Sequence, residues 1–148
     1  MTTVTLFDII AWVETKNVQH AMRFEPSVYA RVADQWLPEM VAAQKANSCS
    51  QGTARMIYST SFGAAQIMGF NLYGQGYAGD ISTFCWDIRA QETQFDAFVK
   101  RKNIVCTPED LAGIPIVRRH FAQVYNGAPD TYAPLIAQAL QHYGFGVS

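Results

Sequence analysis

A chain of 148 residues, 49% hydrophobic and 16% charged, carries enough apolar material for one substantial core and reads as a single domain over residues 1–148. A formal net charge of -1, with basic clusters only at 100–102 and 118–120, excludes nucleic acid held by counterion release. No stretch reaches the ~18 consecutive apolar residues of a membrane span, and MTTVTLFDII lacks a basic n-region, so a soluble protein with no secretory signal of its own and no membrane insertion is expected.

Cys49, Cys85 and Cys106 are odd in number and widely spaced, with no CxxC and no histidine at ligand spacing. They suggest free thiols made in a reducing cytoplasm, not a disulfide framework or a metal site.

Along the chain, Thr5 and Asp8 form a capping box ahead of Leu6, Ile9, Ile10 and Val13, which recur at helical spacing; the helix is predicted to end near Lys16 or Asn17. Pro26 opens a second helix with Val28, Val32 and Trp36 on one face, and Pro38 either kinks it or starts another through Met40 and Val41. NSCSQGTAR, residues 47–55, is small and polar around Gly52 and reads as a surface loop. In IYSTSFGAAQIMGFN, Ser61 is expected to cap a short apolar helix that Gly69 stops in the left-handed position.

YGQGYAGD, residues 73–80, reads as a loop, followed by an amphipathic helix marked by Ile88, Gln91, Phe95, Phe98 and Val99 and ending at KRK. Thr107 caps the next helix, with Pro108 in its first turn. A further helix presents Val117, Phe121 and Val124 and ends at YNG. Asp130 opens a last one carrying Tyr132, Leu135, Ile136, Ala139, Leu140 and Tyr143 before Gly144. Alternating β-type patterns are almost absent, so the fold class is mostly α with little or no β.

The residue that stands out is Glu14. Four positions after Ile10 and seven after Phe7, it lies within about 40° of both on an ideal helix and sits over the apolar stripe. Half covered by apolar side chains, its carboxyl would hold a proton toward neutral pH, as a general acid must. The competing reading is a solvated or salt-bridged charge in the last turn of a helix.

The order of WVET, RFEPSVY, STSFGAAQIMGFN and FAQVYNGAPDTYAPLIAQAL resembles the N-acetylmuramidase family of phage endolysins. More distantly it resembles the lysozyme and soluble lytic transglycosylase superfamily, over roughly residues 6–143. The resemblance implies a lysozyme-like helical domain in which the first helix delivers Glu14, as catalytic acid, to a cleft facing QIMG and YNG. Thr15 stands where serine is usual and keeps a hydroxyl. The other matched positions are Phe24 and Glu25; Ser61, Gly63, Gln66, Ile67, Met68 and Gly69; and Tyr125, Asn126 and Gly127. Of these, Glu25, Ser61, Gln66, Tyr125 and Asn126 are the candidate substrate contacts. Gln66 and Asn126 have structural readings beside the functional ones: Gln66, inside the apolar AAQIM, needs a hydrogen-bonding partner of some kind, and Asn126 with Gly127 is first of all a turn, while Tyr125 can offer a glycan its hydroxyl or ring face.

Two-carboxyl hydrolysis requires a separation of about 5–5.5 Å for retention or 6.5–9.5 Å for inversion. Eleven residues of unbroken helix would span about 16 Å, so Glu25 reaches Glu14 only if TKNVQHAM folds back. Otherwise Glu25 caps a helix or binds Arg23. Asp80 is a second candidate for positioning water. If neither arrives, Glu14 acts alone as acid and then base, as in the transglycosylase relatives. The expected reaction is hydrolysis of the β-1,4 bond between N-acetylmuramic acid and N-acetylglucosamine. Transglycosylation to 1,6-anhydro products and a non-catalytic cell-wall-binding module are the alternatives. Peptidoglycan glycan strands are the expected partner, with no cofactor, no metal and no nucleic acid, and a monomer is expected. The resemblance further implies synthesis in the host cytoplasm and action on the wall from the periplasm after release. Trp12, Tyr58, Phe62, Tyr73 and Tyr77 are available either as core or as sugar-stacking faces.

Overall fold

The computed structural model describes residues 3–148. Its first helix, α1, runs Leu6–Thr15 and begins as the capping box predicts: the Asp8 N–H donates to Thr5 Oγ1 at 3.2 Å while the Thr5 N–H donates to Asp8 Oδ2 at 2.8 Å. Phe7, Ile9, Ile10 and Ala11 are buried, which places α1 inside the core. It stops because Lys16 (φ 56°) and Asn17 (φ 67°) are both left-handed, turning the chain sharply after Thr15. Hydrogen bonds from Val18 N to Thr15 O and from Ala21 N to Val18 O complete the reversal, so TKNVQHAM does fold back.

The reversal feeds β1, Met22–Phe24, which pairs antiparallel with β2, Thr60–Phe62, with Arg23 opposite Ser61; β2 pairs with β3, Ile67–Met68. Between β1 and β2 lie α2 (Pro26–Arg31), α3 (Pro38–Asn47) and α4 (Gln51–Tyr58). After β3 come α5 (Gly69–Gly74), α6 (Ile81–Trp86), α7 (Ile88–Arg101), α8 (Pro108–Gly113), α9 (Pro115–Tyr125) and α10 (Pro129–His142). The class is mostly α, and α1 packs against α10 and α7. Among the described residues, no helix is long and apolar enough to cross a membrane.

Three expectations are corrected. The second helix ends at Arg31 and Pro38 starts a separate one, so Trp36 lies in the connection between them. Residues 47–55 are not all loop: Ser50 accepts from the Thr53 N–H at 3.1 Å and starts α4, whose apolar stripe, Ala54 and Ile57, becomes visible only beyond the polar run. Ser61 caps no helix. It belongs to β2, and the chain turns through Gly63 (φ 81°) and Gln66 (φ 53°) into β3. Gly69 therefore opens α5 and does not stop a helix. Its requirement is proximity: a Cβ there would lie 1.9 Å from the Ile57 carbonyl oxygen at the end of α4. Gly127 (φ 82°) and Gly144 (φ 86°), by contrast, follow α9 and α10 in the left-handed conformation.

The three cysteines are free. Cys85 is buried and the other two are half-buried, and burial raises all three thiol pKa values, that of Cys106 to about 11.

Because the atom met at position 69 is backbone, Gly69→Ala is expected to cost about 3 kcal/mol or more, in the range of severe packing defects. Thermal unfolding followed by far-UV circular dichroism checks this, against Gly113→Ala, where a Cβ meets nothing within 4 Å.

Candidate active site

The site forms where the end of α1, the β2–β3 hairpin and α10 meet. Thr15, one residue beyond Glu14, donates its hydroxyl to Ala64 O at 2.9 Å, with Ala11 O as a second acceptor within reach at 3.2 Å, and accepts from the Val18 N–H at 3.0 Å. One hydroxyl thereby joins the helix end to the hairpin turn and to the reversing loop. Gln91, 1% exposed, holds the same turn from α7: its Oε1 accepts from Ala64 N at 2.9 Å, and its Nε2 donates to Gln19 O at 2.8 Å and Phe84 O at 3.0 Å. A Cβ on Gly63 would meet the Gln91 side chain at 2.8 Å, so glycine lets the turn approach this amide.

Against this frame Glu14 is half-buried, and Tyr132 Oη donates to its Oε1 at 2.5 Å. Burial pushes the Glu14 pKa up. The Tyr132 hydrogen bond and the positive charge of Arg23 pull it down, and the result is a carboxyl above its ordinary 4.5. Tyr132 is itself buried and stacks on Tyr125, ring centroids 6.0 Å apart and planes 20° from parallel. Burial drives both phenols well above their usual range, so both stay protonated. The Tyr132 hydroxyl is thus a fixed donor to Glu14 and cannot take its proton.

Arg23 stands on β1 and pairs through Nε with Glu25 Oε1 at 2.6 Å. Glu25 occupies the N-cap position of α2 without making a side-chain cap, and its backbone N–H donates to Ser59 O at 2.8 Å. Of the readings open to it, the structure displays the ion pair with Arg23. Asp80 is occupied otherwise: its two oxygens accept from Thr83 N at 2.7 Å and Thr83 Oγ1 at 3.0 Å, capping α6.

Ser61 and Gln66 face each other. Ser61 Oγ donates to Gln66 Oε1 at 2.7 Å, and Gln66 Nε2 donates to Gly63 O at 3.0 Å and Ala21 O at 3.3 Å. The partner that Gln66 needs is the hairpin and the strand beside it. Tyr125 Oη donates to Ala65 O at 2.9 Å, drawing α9 onto the hairpin, whereas Asn126 is exposed at the end of α9. Phe62 and Tyr73 belong to the core, with Tyr58 and Tyr77 packed beside Phe70 and Phe84. Trp12 is half-buried, stacked on His142 and covered by Lys16 Nζ at 3.2 Å. Among the described residues, no group of three or more His, Cys, Asp or Glu side chains is placed to hold a metal ion.

Sequence reasoning missed Tyr132 and Arg23 as neighbours of Glu14. The available signal was the phenol itself: a tyrosine on the buried stripe of the last helix needs a partner for its hydroxyl.

A half-buried, protonatable carboxyl at the end of α1, held by Tyr132 of α10, is suited to giving up a proton to a leaving oxygen. Residues 9–144 match N-acetylmuramidase. The chain belongs to the N-acetylmuramidase family. It is 44% identical to the endolysin of Enterobacteria phage PRD1 over 145 residues, which cover 95% of this chain and 97% of that one. No solved structure gives a significant match. As a family member, the protein is a glycosidase that degrades peptidoglycan.

Because the Tyr132 bond favours the ionised form of Glu14, Tyr132→Phe is expected to move the Glu14 titration midpoint to higher pH. It should also lower stability by about 1–2 kcal/mol. NMR titration of the Glu14 side-chain carboxyl carbon reads the first; an unchanged midpoint would mean that the phenol does not select the carboxylate.

Proposed function

We propose that this enzyme hydrolyses the β-1,4 bond between N-acetylmuramic acid and N-acetylglucosamine, with Glu14 as general acid, and that it serves as a phage or prophage endolysin. The observation that carries the reading is the Glu14 carboxyl, half-buried at the end of α1 with its pKa raised by burial and held by Tyr132. Such a group keeps its proton at a pH where an exposed glutamate has lost it, and can transfer it to the glycosidic oxygen as the bond breaks. The near full-length similarity to the PRD1 endolysin supports lysis of a host wall as the setting. In that setting the enzyme is made in the host cytoplasm and meets its substrate in the periplasm. One domain working as a monomer is sufficient for this reading. The Tyr132 hydrogen bond and, after it, the positive charge of Arg23 oppose the rise of the Glu14 pKa and favour the ionised form, the form that serves as base in a second step.

One observation favours a second outcome of the same first step. Glu25 is paired with Arg23, and both oxygens of Asp80 are bound to Thr83. With Glu14 alone as acid and then base, the muramic acid 6-hydroxyl replaces water and a 1,6-anhydro product forms. Mass spectrometry of digested sacculi is expected to show reducing-end muropeptides; anhydro ends would make the enzyme a lytic transglycosylase.

Glu14→Gln is expected to abolish the turbidity loss of permeabilised cells, by about 10³-fold or more, as removal of an essential proton donor does. Retained lysis would remove Glu14 from the reaction. Wild-type activity is expected to fall as pH rises through the raised Glu14 pKa, because the proton to be donated is lost.

The same substitution gives a stability test that needs no substrate. Since the folded-state pKa lies above the ordinary 4.5, the native protein binds more protons than the unfolded chain in that window. Wild-type stability therefore falls as pH rises above about 4.5, and the neutral glutamine lacks this loss. The melting temperature of Glu14→Gln relative to wild type is expected to rise from pH 4 to pH 8; a constant difference would show that burial does not oppose ionisation of Glu14.

A further inference from the structure

Trp86 closes α6 and is 70% exposed, the most open aromatic side chain among the described residues. Its ring is nevertheless supported. The His20 imidazole lies almost parallel to it, with ring centroids 5.1 Å apart and planes 18° from each other. One face of the indole is covered, and 70% exposure with one face covered leaves the other face to solvent. Trp12 makes the contrast: His142 stacks on it and Lys16 Nζ stands over its ring, so both of its faces are taken.

The stacked pair is fixed from beneath by Gln91. Its Nε2 donates to Gln19 O at 2.8 Å and to Phe84 O at 3.0 Å, with Cys85 O within reach at 3.3 Å, so the backbone just ahead of His20 and of Trp86 hangs from one buried amide. The oxygen of that amide accepts from Ala64 N, in the turn that Thr15 binds. The aromatic pair and the active-site hairpin therefore share an anchor and keep a constant separation. His20 follows Glu14 by six residues, a reach of at most about 20 Å, and the chain reverses within them.

What surrounds the open face points to its ligand. Thr83, Asp87 and Arg89 are exposed within three residues of Trp86, and both stacked rings bring their own polar N–H edges to water. A single flat apolar face with a polar fringe complements a pyranose ring, whose C–H bonds form an apolar face and whose hydroxyls surround it. We propose that Trp86, backed by His20, is an accessory glycan-binding platform that stacks on one pyranose ring of a peptidoglycan strand outside the catalytic site. The platform supplies retention at the wall, not bond cleavage. It rests on the family's action on peptidoglycan and is independent of Glu14 as the acid.

The test uses the full chain carrying Glu14→Gln, so that the glycan survives, with isolated sacculi and with glycan strands stripped of their peptide stems. Trp86→Ala in that parent is expected to weaken retention on both about tenfold, and Trp86→Tyr to keep most of it. His20→Ala is expected to lose part of the retention, because the indole then lacks its backing. The Trp86 indole N–H resonance, identified by its absence in Trp86→Phe, is expected to shift on titration of the parent with a stem-free tetrasaccharide; this reading does not depend on how well any variant folds. An indole resonance that stays in place while other resonances report bound glycan overturns the proposal, as does equal retention of the parent and Trp86→Ala. An effect of Trp86→Ala that vanishes on stem-free strands marks a peptide ligand, and a shift of the indole resonance with protein concentration alone marks a second copy of the chain; each overturns it too. Wherever wild type still lyses cells, these outcomes leave the proposed function intact. No lysis by wild type, together with no retention of the parent, takes down that function instead.

Discussion

The buried amide of Gln91 is the interaction on which the rest is built. It lies among Phe84, Cys85 and the hairpin turn, and its three main bonds reach the turn at Ala64, the reversing loop at Gln19 and the end of α6 at Phe84. These segments are far apart in sequence and none is long enough to be stable alone; β3 has two residues and α6 has six. A single side chain with one acceptor and two donors satisfies backbone groups of each, which would otherwise be buried without partners. An apolar residue of the same shape would leave an N–H and several carbonyls unpaired, and the hairpin would lose its anchor to α7.

Once the hairpin is anchored, the position of Glu14 follows. Thr15 binds the Ala64 carbonyl, so the last turn of α1 cannot slide along the hairpin, and the side chain before it projects toward α10. There burial and hydrogen bonding act in opposite directions on the same carboxyl. Burial raises its pKa, whereas Tyr132 and Arg23 each stabilise the anion. Burial is the larger of the two, so the carboxyl settles above its ordinary 4.5. Tyr132 has a second duty, because its ring stacks on Tyr125, whose hydroxyl donates to the hairpin at Ala65 O.

Much of this was legible in the chain wherever one short rule suffices. The Thr5 and Asp8 box, the Pro108 and Pro26 helix starts, and the glycines after α9 and α10 depend on neighbours within a few residues, and each is where the sequence puts it. The hairpin was not legible. Its strands have three and two residues, too few for alternation to register, and its turn places a glutamine at φ 53°, a conformation that sequence alone would assign to glycine or asparagine. AAQIM consequently looked helical. The start of α4 was hidden because Ser50 and Gln51 cap and open a helix in the same polar vocabulary that loops use. At the site, Glu14 announced itself by breaking an apolar stripe, and the pairing of Glu25 with Arg23 was among the readings weighed. Tyr132 did not announce itself, since a tyrosine at a helical core position looks like packing until the residue 118 positions away that its hydroxyl meets is known.

The protonation of the three free thiols decides how the fold meets an oxidising solution. A protein that leaves a reducing interior for an oxidising space risks cross-linking through every cysteine that exists as thiolate, because only that form attacks a disulfide. Here the fold keeps Cys49, Cys85 and Cys106 protonated, the last with a pKa of about 11, and encloses them to differing degrees. Thiol–disulfide exchange through these three side chains is therefore slowed near neutral pH.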